Sequence, residues 1–253
     1  MGEDIFAFVL SYLLSIKLME DFFMAKNFRH SIYIRKLVLC AMFAAMAYCV
    51  AFIFRINVSF LTFDAKDAIV CIAAMILGPG AGAVISLLVA TLEQITVGDT
   101  GFWGWLMDFA STATFSVVAA YIYSKRRNIS GVAIALASSV IATVTVMMLC
   151  NLLITPIYMK VELKQVIELL PTLLLPFNLT KSVLNAGLVL ALYKPLITAC
   201  RAVKLVPQKE NANGEKKSFW SMRSLVFILI AIALISASIV YMIFGLGGHF
   251  EFS

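Results

Sequence analysis

Apolar residues run through this chain in long blocks, not in the alternating or one-faced patterns of a soluble domain. Blocks close to the ~20 residues needed to cross a bilayer core cover 35–54, 81–96, 103–123, 131–158, 172–194 and 222–244. A shorter one, 67–77, runs into Gly78, Pro79, Gly80, Ala81 and Gly82. That run breaks a helix and returns the chain directly into the next block, so 67–77 is read as a short or tilted span. The pattern predicts an all-α integral membrane protein with a six-helix bundle and one appended C-terminal transmembrane helix.

The polar residues between the blocks set the topology. With the amino terminus in the cytoplasm, Arg29, Arg35, Lys36, the run Lys125, Arg126, Arg127 and the basic residues of 194–223 all lie inside. Only Arg55, Lys66, Lys160 and Lys164 fall on the opposite face, as the positive-inside rule requires. The carboxyl terminus then lies outside. The expected organisation is an N-terminal extension over 1–34, a six-helix membrane domain over 35–204, a cytoplasmic linker over 205–221 and the additional span over 222–246. Residues 5–16 are apolar but too short to span, follow Glu3 and Asp4, and lack a small-residue cleavage pattern. They read as an interfacial helix, not a signal peptide.

Composition confirms the class: 62% of residues are hydrophobic, 13% are charged, and mean hydropathy is +0.97. The formal charge of +6 suits topology, not nucleic acid, because the basic residues are parcelled out between apolar blocks. Cys40, Cys49, Cys71, Cys150 and Cys200 show no metal or redox spacing and read as small buried hydrophobes. His30 and His249 lie near the two ends, which leaves no histidine for a membrane protease or proton relay. No Walker A pattern is present, so the chain does not itself harvest ATP. No cofactor is implied.

What remains is a set of polar residues inside spans. Asn178, Lys181 and Asn185 share one helical face of 172–194. An ammonium in hydrocarbon costs at least about 2.5 kcal/mol, so Lys181 needs a partner, a wet cavity or a ligand; a purely structural ion pair is one such reason. Glu93, Gln94, Asp108 and Asn151 lie at similar depth on other spans, which together outline a pocket open to the outside. Phe63, Asp64 and Asp67 in the loop after the first span, and Trp103 with Phe102 and Trp105, stand near its mouth. Aromatic rings at that depth either form the interfacial belt or stack on a planar ligand. On the first span, Ala41 and Ala45 make a small-xxx-small surface suited to close approach of another helix.

Several of these segments together resemble a known family. They are Phe63, Asp64, Ala65, Lys66, Asp67; Gly78, Pro79, Gly80, Ala81, Gly82; Asn151 ahead of Pro156 and Tyr158; and Pro176, Phe177, Asn178, Leu179, Thr180, Lys181. Over 35–204 the chain is similar to the substrate-binding S components of energy-coupling factor (ECF) vitamin transporters, and within them to the riboflavin-type branch. The resemblance implies a six-helix subunit of the bacterial cell membrane that captures a vitamin, here riboflavin or a related flavin. Its partners would be a transmembrane coupling protein, docking at Ala41 and Ala45, and two cytoplasmic ATPases. Asn151, Asn178 and Lys181 correspond to the residues that hold the flavin ring in that branch, with Asp108, Glu93, Phe63, Asp64 and Trp103 around them. Val89 and Ala90 stand where that branch carries Lys and Asn, and Asp108 where Asn is usual.

Other readings stay open at this point. One is an S component for another small planar vitamin or precursor. A second is a membrane enzyme acting on a lipid or isoprenoid, with Asp64 and Asp67 as a metal pair. A third is a self-sufficient carrier.

Overall fold

The computed structural model describes residues 28–53, 55–59, 61–96, 101–202, 222–247 and 249–251. The apolar stretch 5–16 and the linker 205–221 lie outside the described residues. In chain order the elements are α1 (Phe28–Ile53), β1 (Arg55–Val58), β2 (Leu61–Phe63), α2 (Lys66–Leu77), α3 (Pro79–Thr96), α4 (Gly101–Lys125), α5 (Ile129–Met159) and α6 (Leu163–Leu169). A π-helical turn, Leu170–Leu174, leads into α7 (Leu175–Ala202), and α8 (Met222–Val240) ends in a second such turn before β3 (His249–Glu251). Among the described residues six helical segments are long and apolar enough to cross a membrane, and α2 is the short one.

Local chemistry places the breaks. Gly78 takes φ 105°, a conformation that side chains disfavour, and its N–H closes α2 on Ala74 O at 2.8 Å. Pro79 then occupies the first turn of α3, where its missing N–H costs nothing. Asn128 caps α5 by accepting a hydrogen bond from Gly131 N at 2.6 Å.

The bundle packs around two apolar clusters. One joins α2, α4, α5, α7 and α8 through Cys71, Ile72, Phe115, Leu136, Val189 and Ala231. The other joins α1, α2 and α3 through Phe43, Ala47, Val70 and Ile85. Close approach is enforced by glycine. A Cβ on Gly82 would lie 2.6 Å from Ala74 Cβ, and one on Gly187 would lie 3.0 Å from Ile235 Cγ1 of α8. The last helix, which the sequence presents as appended, is thus seated directly on α7.

One feature departs from an all-helical reading. β1 pairs antiparallel with β2 (Ile56 opposite Phe63) and with β3 (Ile56 opposite Phe250), giving a three-stranded sheet of order β2-β1-β3. The C-terminal strand therefore lies at the end of the bundle where α1 finishes and α2 begins. Beneath the sheet, Ile56, Val58 and Phe63 pack with Phe177 and Leu184 of α7 and with Met242.

Candidate functional site

At the sheet end of the bundle, charged residues from five parts of the chain converge. Lys66, at the first position of α2, is 1% exposed. Its ammonium donates to both carboxylate oxygens of Glu93 on α3, at 2.7 Å, and of Asp108 on α4, at 2.8 Å. Asp64, in the turn between β2 and α2, lies 3.8 Å from the same nitrogen. Lys181 on α7 donates to Asp64 Oδ2 at 3.0 Å and lies 4.0 Å from Asp67. Asp64 therefore bridges two buried ammonium groups. Asp67 is further held by Thr112 Oγ1, which donates to it at 2.7 Å.

Asn185 fixes this arrangement to the backbone. Fully buried, it accepts from Ala68 N at 2.9 Å and donates to Asp64 O at 3.2 Å and to Lys181 O at 3.1 Å. The start of α2 is thereby tied to α7 at the level of the ion pairs. Burial alone would raise the Asp64 carboxyl, but the Lys181 and Lys66 ammonium groups outweigh it and hold the group below the usual carboxylate range.

The structure brings together some of the residues predicted from sequence and leaves others apart. Asp64, Lys181, Glu93 and Asp108 belong to one cluster. Within it Glu93 and Asp108 serve Lys66, while Lys181 is served by Asp64. Asn178 is buried on the Lys181 face and donates to Leu174 O, the last carbonyl of the π-helical turn, at 2.8 Å. Asn151 donates to Met147 O at 2.7 Å and accepts from Thr155 at 3.0 Å, all within α5. Phe63 is a core residue under the sheet, packed where a ligand ring would not reach it without displacement. Trp103 is partly exposed and meets the Phe102 ring edge-on at a centroid distance of 5.6 Å, and Phe102 in turn contacts Trp105. Ala41 and Ala45 both face outward on α1.

Lys66 is the residue that sequence reasoning passed over, since it reads as one of a few basic residues in an external loop. The signal was the alternation Asp64, Lys66, Asp67 at the head of an apolar helix, where an ammonium needs carboxylates from elsewhere. Glu93 and Asp108 are the least covered members, their side chains 13% and 25% exposed. The cluster is thus least covered on the side of α3 and α4. With Asp64 and Asp67 both engaged by ammonium groups, neither carboxylate stands ready as half of a metal pair.

Residues 35–197 match the family model described as "ECF transporter, substrate-specific component". The chain belongs to that family. The fold is similar to the one solved under the description "Structure and mechanism of the S component of a bacterial ECF transporter", with a TM-score of 0.56 at 23% identity, over 65% of this chain and 96% of that one. No curated protein matches the chain in sequence. As an S component it is a multi-pass membrane transport protein, not an enzyme, and the family implies ECF transmembrane and ATPase partners and a small vitamin substrate. The match ends at residue 197, so α8 and β3 lie beyond it.

Proposed function

We propose that this S component captures riboflavin or a closely related flavin and delivers it to an ATP-driven module. The observation that carries the reading is the buried polar face of α7, where Asn178 lies one turn from Lys181 and Lys181 joins, through Asp64, the ion-paired cluster that holds Glu93 and Asp108. A flavin edge alternates carbonyl acceptors with an imide donor, which two amides and an ammonium match. Asn178 and Asn151 each donate to a carbonyl four residues back on their own helices, a local bond that a ligand bond of the same kind replaces at little net cost. Asp64 and Trp103 complete the surroundings of the ligand, with Phe63 behind them in the core beneath the sheet. Four carboxylates, Asp64, Asp67, Glu93 and Asp108, face two ammonium groups. That balance favours a neutral ligand and repels a phosphorylated one.

In this reading the sheet end faces outward, the chain begins in the cytoplasm, and the 35–204 domain is the working unit. Ala41 and Ala45 receive the coupling protein, whose two ATPase partners supply the energy.

The test is the visible absorption spectrum of the detergent-purified protein, with thermal-shift screening of a vitamin panel on the same sample. A ligand at 100 times its Kd stabilises by about 2.7 kcal/mol. A flavin spectrum with stabilisation by riboflavin is expected. A colourless protein stabilised by another planar vitamin, or by a precursor, would replace the ligand and keep the class.

A further inference from the structure

The segment beyond the family match is built into the end of the molecule that carries the ion-paired site. β3 forms an edge strand on β1, with Arg55 opposite Glu251 and Asn57 opposite His249. β1 turns into β2, and β2 runs without interruption into Asp64, Lys66 and Asp67. Met242, in the turn that ends α8, is fully buried in one cluster with Ile56, Val58 and Phe63 of the hairpin and Phe177 and Leu184 of α7. Phe177 and Leu184 flank Asn178 and Lys181 on α7. Further down, α8 is held by the close approach at Gly187.

Mechanically, this is a hairpin fastened on both sides. Its own chain joins it to the site, and a strand from the far end of the sequence holds its outer edge. A two-stranded hairpin alone is marginal in water, whereas a third strand with an apolar face is enough to fix it. From this we propose that α8 and β3 form a strap that holds the β1–β2 hairpin shut over the substrate site, and that release of β3 from β1 is the opening step for substrate exchange. The proposal rests on the site lying at Asp64 and Lys181. Local openings of this kind come from elements with few contacts, and a three-residue edge strand is such an element.

The experiment locks the strap. Register partners in an antiparallel pair have Cα separations of about 4.5 to 5.5 Å, within disulfide range, so Asn57→Cys with His249→Cys is introduced into the full chain. Each single variant serves as the control for the native cysteines. Exchange of bound riboflavin is followed by chase in oxidised and reduced protein. The expected result is exchange slowed at least about tenfold on oxidation and restored by reductant. An unchanged rate overturns the strap. If wild-type protein binds no riboflavin, the ligand assignment fails, and the strap is decided by amide hydrogen exchange over 61–68. Oxidation must then slow that exchange, and equal exchange in both states overturns the proposal.

If the double variant does not form the bond, proline does the opposite experiment. On an edge strand only one of two neighbouring N–H groups points at the partner strand. His249→Pro and Phe250→Pro should therefore differ, one accelerating exchange over 61–68 and the other not. Wild-type rates in both overturn the proposal.

Discussion

Lys181 illustrates how a residue's partners change what its removal means. The ammonium is held by Asp64 and lies within reach of Asp67, so Lys181→Met leaves two buried carboxylates short of their counter-charge. Breaking a buried pair from one side costs about 3–5 kcal/mol, which is enough to obscure a binding defect behind a folding defect. Lys181→Met combined with Asp64→Asn is expected to recover most of the thermal stability lost by the single change while still failing to bind ligand. Recovery of binding as well would remove Lys181 from the site. Lys66 is more exposed to this effect, because three carboxylates depend on it. Lys66→Met is expected to be the most destabilising single change in the cluster, measured as the largest fall in melting temperature. Acid acts on the same groups. Since the Asp64 pKa is lowered in the folded state, its contribution is fully present above the unfolded carboxylate value and is lost as pH falls through the depressed one. A melting profile for Asp64→Asn should therefore be flatter than wild type on the acid side.

The helices themselves were legible from the apolar blocks, and the short α2 from the glycine-proline run that ends it. Their contacts were less so. The face shared by Asn178, Lys181 and Asn185 follows from helical spacing alone, because all three sit on one element. Lys66, by contrast, meets partners 27 and 42 residues away, and nothing local in the sequence says which carboxylates will reach it. The β1–β3 pairing joins opposite ends of the chain, and three-residue strands carry too short a pattern to announce themselves. Small residues show the same limit: glycine in a span is common, and only the packing reveals which one admits a neighbour. Gly82 is such a position, since a side chain there would collide with Ala74 on α2 and press on Ser116 of α4. Gly82→Leu is expected to separate these helices and to lower thermal stability by at least about 1–3 kcal/mol, the usual cost of overpacking. Gly80→Leu, one turn edge away with open space around its Cβ, is the control and should change stability far less.

At the scale of the whole molecule the two proposed activities occupy different surfaces, which makes them separable. Charged and amide groups gather at the sheet end, while Ala41 and Ala45 form an exposed patch on α1, whose opposite side is buried through Phe43, Ala44 and Ala47. A bulky residue on the outward side therefore points away from the described residues, whereas it stands in the way of any helix brought against it. Ala41→Trp is expected to leave the melting temperature and equilibrium ligand binding of the isolated S component at wild-type values. In membranes that also contain the coupling protein and ATPases, the same variant is expected to abolish co-purification and vitamin uptake. Lost binding in the isolated subunit would mean that α1 shapes the site and not the interface. Normal uptake would place the docking surface elsewhere, on another outward face of the bundle.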